Sequence, residues 1–221
     1  MNSAIIQLLV LAGIAVFLIL RLRSVLGTRD GFEKPSASLP DSDTRSRGRP
    51  EFDVIEGGPD RDITDHVEDG SASAKAFAAM KMAEPGFSVS EFIGGARGAY
   101  EMILMAFENG DLSEVRSFLS AEVAEAFDTV IADREREGLT IEANFVGVRE
   151  VAVHDAVFDR ETNEGDISVR FVAELTSVVR NSEGEIVEGD ATEIKRQRDV
   201  WTFSRVMGSN DPNWVLVATG E

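Results

Sequence analysis

The chain has no cysteine among its 221 residues. That excludes disulfide staples, thiolate nucleophiles and Cys-ligated metal, and it leaves the redox compartment open. Histidine is almost as scarce, with only His66 and His154. Neither has a second His or a Cys at ligand spacing, so no metal role is assigned. Basic residues are in deficit: 22 Lys and Arg stand against 40 Asp and Glu, a formal net charge of −18. Phosphate backbones need clustered Lys and Arg, so this acidity excludes a nucleic-acid partner. It also opposes general adhesion to anionic lipid, and its plain use is solubility. Proline is limited to six residues, four of which (35, 40, 50 and 59) crowd into one stretch; that stretch reads as a linker. What remains is ample for a core. Hydrophobic residues make up 43% of the chain, and the length suits one ordinary domain plus extensions.

The most apolar run is "AIIQLLVLAGIAVFLIL", Ala4 to Leu20, in which Gln7 is the one strongly polar side chain. A helix of that length spans roughly 25 Å, near the short end for a bilayer. A secretory signal wants positive charge before the run and small residues after it, and a mitochondrial presequence wants an amphipathic, Arg-rich helix. This run has neither pattern. Arg21, Arg23 and Arg29 follow it. The expectation is an uncleaved anchor over 4–22, a single-pass transmembrane helix. The positive-inside rule makes Arg21 and Arg23 its orientation charges, with the N-terminus out and the remaining chain in the cytoplasm. Residues 27–73 are rich in Pro, Asp and Ser and poor in large apolar groups, which predicts a disordered acidic tether. "FDVIEG", residues 52–57, is an apolar island within it, read as a local cluster.

From 74 onward the chain reads as one domain. Helical spacing begins at "AKAFAAMKMAEPGF", and Pro85 and Gly86 stop it. "SVSE" then offers Ser88 as N-cap with Glu91 in a capping box, and Phe87 and Phe92 sit at hydrophobic-staple positions. Phe92, Ala96, Ala99, Tyr100, Ile103 and Phe107 recur at helical spacing up to Asn109-Gly110. Gly94, Gly95 and Gly98 weaken this helix, and close packing against its backbone is the expected reason. "DLSE" can cap a short helix, and a further helix follows with Val123, Phe127, Val130 and Ile131 on its apolar face. Its end, "ADREREG", reads as a solvated face.

After Gly138 the period changes to two. Ile141, Ala143 and Phe145 alternate with polar residues, and Val151 and Val153 resume after a bulge expected at Gly147. Residues 167–175 place Ile167, Val169, Phe171, Ala173 and Leu175 on one face. "RNSEGE" is a turn, a third strand covers about Glu193 to Arg205, and "GSNDPN" turns into a last strand, "WVLVATG". The fold class is therefore α+β, with helices on one face of a mostly antiparallel four-stranded sheet. A long helix across a curved sheet is a common way to enclose an apolar pocket. Tyr100, Phe107, Phe171, Trp201 and Trp214 are its candidate lining residues.

"FIGGARGAYEMILMAFENGDLSEVRSFLSAEVAEAF" and "DVWTFSRVMGSNDPNWVLVATG" resemble, in that order, the opening helices and closing strands of the Tim44-like domain family. The resemblance covers about 75–220. It implies a cystatin-like fold, related to nuclear transport factor two-like domains. It also implies work at membranes. Mitochondrial members are import-motor adaptors that recruit a chaperone to a protein translocase, and bacterial TimA-like members are membrane-anchored, as the layout here is. The mitochondrial presequence and chaperone-binding helices have no counterpart in this sequence, so chaperone recruitment does not carry over.

No catalytic spacing emerges. His154 and Asp155 are adjacent in a strand and point to opposite faces. "GGARG" lies within a helix and lacks the strand and Gly-Lys-Ser/Thr ending of a phosphate loop. "EIKRQR", Glu193 to Arg198, reads as a charged strand edge that blocks aggregation, with anionic headgroups or a partner as its other use. No cofactor is expected, and the chain is read as no enzyme. The function that fits is a membrane-tethered adaptor or chaperone-like module at the cytoplasmic face of a bacterial inner membrane. It would engage membrane or translocase-associated proteins, or lipid, through its pocket. The alternatives are a nuclear transport factor two-like enzyme acting on an apolar small molecule and a structural scaffold of an inner-membrane complex.

Overall fold

Residues 59–220 are described by a computed structural model. The expected anchor, Arg21, Arg23 and the tether up to residue 58 lie outside them. Among the described residues, no helix is long and apolar enough to cross a membrane.

The first element is unexpected. A short helix, α1 (Arg61–Thr64), starts from Asp60, whose side chain accepts from Asp62 N, and Ile63 is buried in the core. Composition had placed this stretch in the tether, but residues 59–73 are folded. The signal was two apolar residues among acids, Ile63 and Val67, too few for periodicity to register. α2 (Ala72–Ala83) follows, capped by Ser71, with Phe77 and Met80 fully buried.

α3 (Val89–Asn109) is the long helix expected from the Phe92–Ala96–Tyr100–Ile103 stripe, and all four are buried. Ser88 caps it, accepting from Glu91 N at 3.3 Å. The rest of the expected capping box is replaced. The orphan amides of Val89 and Ser90 donate to the Asp62 carboxylate at 2.8 and 2.9 Å, so the cap comes from α1. Gly110, at φ 75°, ends the helix in the left-handed conformation that glycine adopts without strain. "DLSE" leads into a 3-10 turn, Arg116–Phe118, and Ser120 caps α4 (Ala121–Arg136).

The sheet is an antiparallel meander in the order β1–β2–β3–β4. β1 (Thr140–Asp159) and β2 (Glu164–Arg180) pair along their whole length. Register shifts at Phe145/Gly147, Val148/Glu150 and Val153/Asp155 interrupt the ladder, the first at the expected glycine. Such bulges let strands this long bend across the helices. β3 (Ile186–Val206) begins seven residues before the expected Glu193, because a register shift between Leu175 and Ser177 carries the pairing past an irregular stretch. β4 (Val215–Gly220) covers only Val200–Ser204 of β3.

Helices α2 and α3 lie against β1, and α4 lies against β4. Ile167, Val169, Phe171 and Ala173 are fully buried on the inner face of β2 and Leu175 nearly so, as alternation predicted. The outer face is polar. There Glu174 lies between Arg149 (2.6 Å) and Arg196 (3.1 Å), and Glu150 pairs with Arg170 (2.6 Å). Helices on one face and ion pairs on the other make this the α+β architecture expected.

Candidate functional site

The five aromatic residues expected to line one pocket do not meet at one. Tyr100 stacks on Phe171 with centroids 4.3 Å apart and lies 4.6 Å from Trp201. All three are buried in solid core. Their size filled the concavity that alternation and helix length had predicted to be open. Phe107 lies elsewhere on α3, 4.6 Å from Phe127 and under the Arg134 guanidinium. Arg134 Nη1 also donates to Phe107 O at 3.2 Å. Its neighbours in "ADREREG" are exposed, but Arg134 itself is half-buried. Only Trp214 borders an opening.

Within the aromatic core sits one polar pair. Tyr100 OH donates to Asp199 Oδ2 at 2.5 Å, and Gln197 Nε2 donates to Asp199 Oδ1 at 3.2 Å. Burial, then the hydrogen bond to the carboxylate and its charge, push the Tyr100 hydroxyl far above its ordinary range. A tyrosine so held is a neutral donor, and packed rings leave no room for a substrate beside it. The pair satisfies buried polar atoms and holds α3 to β3.

The opening is a cleft of about 360 Å³ beside the first turns of α3. One wall is aromatic: Trp214 lies 5.9 Å from Phe87 and 4.7 Å from Phe92, and Phe118 completes it. The staple positions, Phe87 and Phe92, are thus joined through Trp214. The helix side is small, with Gly95, Ala96 and Ala99. A Cβ built at Gly94, Gly95 or Gly98 would meet nothing within 4 Å. The expected close packing at these glycines is therefore absent among the described residues, and Gly95 leaves backbone open to whatever enters the cleft.

The polar end is built by Arg205 of β3. Its guanidinium lies over Trp214 at 5.1 Å and donates to Glu84 Oε1 at 2.7 Å and to Pro212 O at 3.2 Å. Its Nε is buried without a hydrogen-bond partner among the described residues. Burial works to raise the Glu84 carboxyl, but the Gly208 amide and Arg205 outweigh it and hold it below its ordinary range. Glu84 therefore ties the end of α2 to the turn after β3, and Trp214 is held by that frame. Sequence reading found Trp214 but missed Glu84, Phe118 and Arg205, which have no local spacing in common.

No group of three or more His, Asp or Glu side chains that could hold a metal occurs among the described residues. His66 Nε2 is 3.0 Å from Ser90 Oγ, and His154 is exposed on β1.

Comparison with known proteins adds a family. Residues 73–221 match the model of the Tim44-like domain. A curated relative, "Mitochondrial import inner membrane translocase subunit TIM44-1" of Arabidopsis thaliana, is 23% identical over 134 residues, 61% of this chain. The chain spans 28% of that relative's length. Among solved structures, the intermembrane space region of the chloroplast protein ARC6 is 11% identical, with 59% of this chain and 92% of that one covered. Its TM-score is 0.38.

Proposed function

The chain belongs to the Tim44-like domain family, and from that premise we propose that it is a binding adaptor that acts at a membrane in protein translocation. The carrying observation is the cleft: an aromatic wall of Phe87, Phe92, Phe118 and Trp214 faces a helix surface stripped to Gly95 and Ala99. Such a cleft accepts an apolar segment whose own backbone comes close to the helix. The occupant we assign is an apolar segment of a membrane or translocating protein. The expected N-terminal anchor, with Arg21 and Arg23 on its inner flank, supports a domain held at the cytoplasmic face of a bacterial inner membrane. Tethering there raises the effective concentration of the cleft near such partners. The adaptor role, not catalysis, also suits a domain whose buried Tyr100–Asp199 pair is packed among rings.

The test is site-specific photocrosslinking in native membranes. A reactive residue at Asn213, on the cleft rim, should trap membrane or translocation proteins above an anchor-only control. The same residue at Arg170, on the outer sheet face, should not. Trp214→Ala should remove the Asn213 adducts while the circular dichroism spectrum is retained. Equal trapping at both positions would remove the cleft from the function. Adducts made only with lipid would replace the protein segment by an acyl chain.

A further inference from the structure

The apolar island "FDVIEG", residues 52–57, has no role in the adaptor function above. It lies just outside the described residues. Its neighbours in sequence offer Val54 and Ile55 no apolar surface. Residues 40–51 hold no large apolar side chain, and Gly57, Gly58 and Pro59 follow the island directly. Two glycines and a proline oppose a helix running from the island into α1. Burial of Val54 and Ile55 therefore needs a surface elsewhere on the molecule.

The chain downstream of the island is clamped beside the cleft. Asp60 Oδ2 and Asp62 Oδ2 each lie 2.7 Å from Lys81 Nζ. Ser88 Oγ donates to Asp62 Oδ1 at 3.0 Å, and Ser88 lines the cleft. Ile63, in the same short helix, is buried in the core. Asp60 is thus joined to the cleft rim through three polar contacts in series, none longer than 3.0 Å. The chain from Ile55 to Asp60 spans about 17 Å when fully extended. That reach brings Ile55 and Val54 to the cleft.

The cleft suits so short a segment. Its volume of about 360 Å³ is at the small end for ligand pockets. Trp214 on its wall is half-buried, so an aliphatic side chain laid against it removes apolar surface from water. A Cβ built at Gly95 meets nothing within 4 Å, so the backbone of an occupant can come close. Glycine adopts both signs of φ, and the pair at 57–58 lets the chain reverse between the clamp and the cleft. A connection this short also holds the island at an effective concentration in the millimolar range. A weak aliphatic contact is then enough to fill the cleft.

We infer that the cleft is occupied in cis by residues 54–57 of its own chain, with Val54 and Ile55 against Phe118 and Trp214, and that an external segment binds by displacing them. This is a regulation of the cleft, and it rests on the adaptor reading above. The clamp at Asp60 and Asp62 keeps the exchange local: the island leaves while α1 stays docked. A partner must therefore outcompete a tethered rival, and its apparent affinity falls by the fraction of domains that are self-occupied.

The absence of cysteine allows a direct test on the full chain in mild detergent. Glu56→Cys with Asn213→Cys, at the cleft rim, should form an intramolecular disulfide under mild oxidation, read by mass spectrometry. Glu56→Cys with Arg170→Cys, on the outer sheet face, should form one at least about tenfold more slowly. Val54→Ser with Ile55→Ser, added to the first pair, keeps the length of the connection and removes only the apolar contacts. It should slow the disulfide by about three- to tenfold. A segment that merely sweeps past the rim would react at the same rate with or without the serines, and that result overturns the inference. So does a rate that rises with protein concentration, which means exchange between copies. The second readout is the Asn213 photocrosslink to membrane partners. The Val54→Ser, Ile55→Ser chain should raise its yield by about three- to tenfold, because the cleft is no longer self-occupied. Partner adducts with an unchanged yield overturn the inference and leave the adaptor reading standing. A serine-sensitive disulfide with no partner adducts in any variant does the reverse: it supports occupancy in cis and removes the adaptor reading.

Discussion

Removing the Asp62 carboxylate tests whether residues 59–64 belong to the fold in solution. That carboxylate accepts from Val89 N, Ser90 N and Ser88 Oγ at 2.8–3.0 Å, and Lys81 Nζ lies 2.7 Å away. Burial works to raise its pKa, but Lys81 and the Ser90 and Val89 bonds outweigh burial and hold it well below the carboxylate range. Loss of an Asp cap costs roughly 0.5–2 kcal/mol, and a hydrogen bond to a charged group contributes about 1.5–3 kcal/mol net of its exchange with water. With 22% of the side chain exposed, water recovers part of this, so Asp62→Ala should cost about 2–3 kcal/mol. In a domain of this size that lowers Tm by roughly 5–10 °C. Asp62→Asn keeps an acceptor oxygen and should cost about half as much. The pH sign follows. A depressed carboxylate pKa contributes stability that is present above the unfolded value of about 3.9 and lost as pH falls through the folded one. Wild type should therefore lose more stability than Asp62→Asn below about pH 4. Urea unfolding of the full chain from pH 2 to 7 measures all three effects. A loss below about 0.5 kcal/mol for Asp62→Ala, with parallel pH curves, would refute the docked segment.

Other consequences can be checked with the same unfolding assay. Gly94→Ala and Gly98→Ala add a methyl into open space on α3 and should each stabilise by about 0.5–1 kcal/mol. Gly189→Ala should destabilise by more than about 2 kcal/mol, since φ is +84° and the new carbon would sit 2.1 Å from Ser177 O. Tyr100→Phe leaves Asp199 short of one donor in the core and should cost about 1–3 kcal/mol. Its ring contacts would survive, so near-ultraviolet circular dichroism should change little. In wild type the raised Tyr100 pKa gives stability that is fully present below about pH 10 and is lost as pH rises above it; Tyr100→Phe should lack that alkaline loss.

Legibility in the sequence tracked the range of the interactions. The α3 stripe, the β2 alternation and the Gly147 bulge depend on neighbours within a few residues, and each stands where periodicity put it. The tether boundary was misread because Ile63 and Val67 are an isolated apolar pair whose partners are far along the chain. The cap on α3 was legible in part: Ser88 stands where its local spacing put it, but Asp62, which adds to the cap, acts from 26 residues upstream. The candidate pocket failed on volume. Alternation shows that Phe171 and Trp201 face inward, but it does not show that Tyr100 fills the space between them. The actual cleft needs Glu84, Arg205 and Trp214 from three separate segments, and no spacing rule joins them.

The meander order has a consequence for how the chain folds. Every strand pair joins sequence neighbours, and the three connections run over 160–163, 181–185 and 207–214. One joint differs: Leu119 bridges Leu216, and Ser120 N donates to Leu216 O at 2.9 Å. That closure spans roughly a hundred residues, and its entropic cost must be met before its contacts form. Folding should therefore nucleate in the β1–β2–β3 hairpins, with high φ-values around Val169 and Phe171. The α4–β4 seam should close late, with φ near zero at Leu216. Since Trp214 enters the fold beside that seam, the aromatic wall of the cleft is completed last, and in any partial unfolding it is the first to come apart.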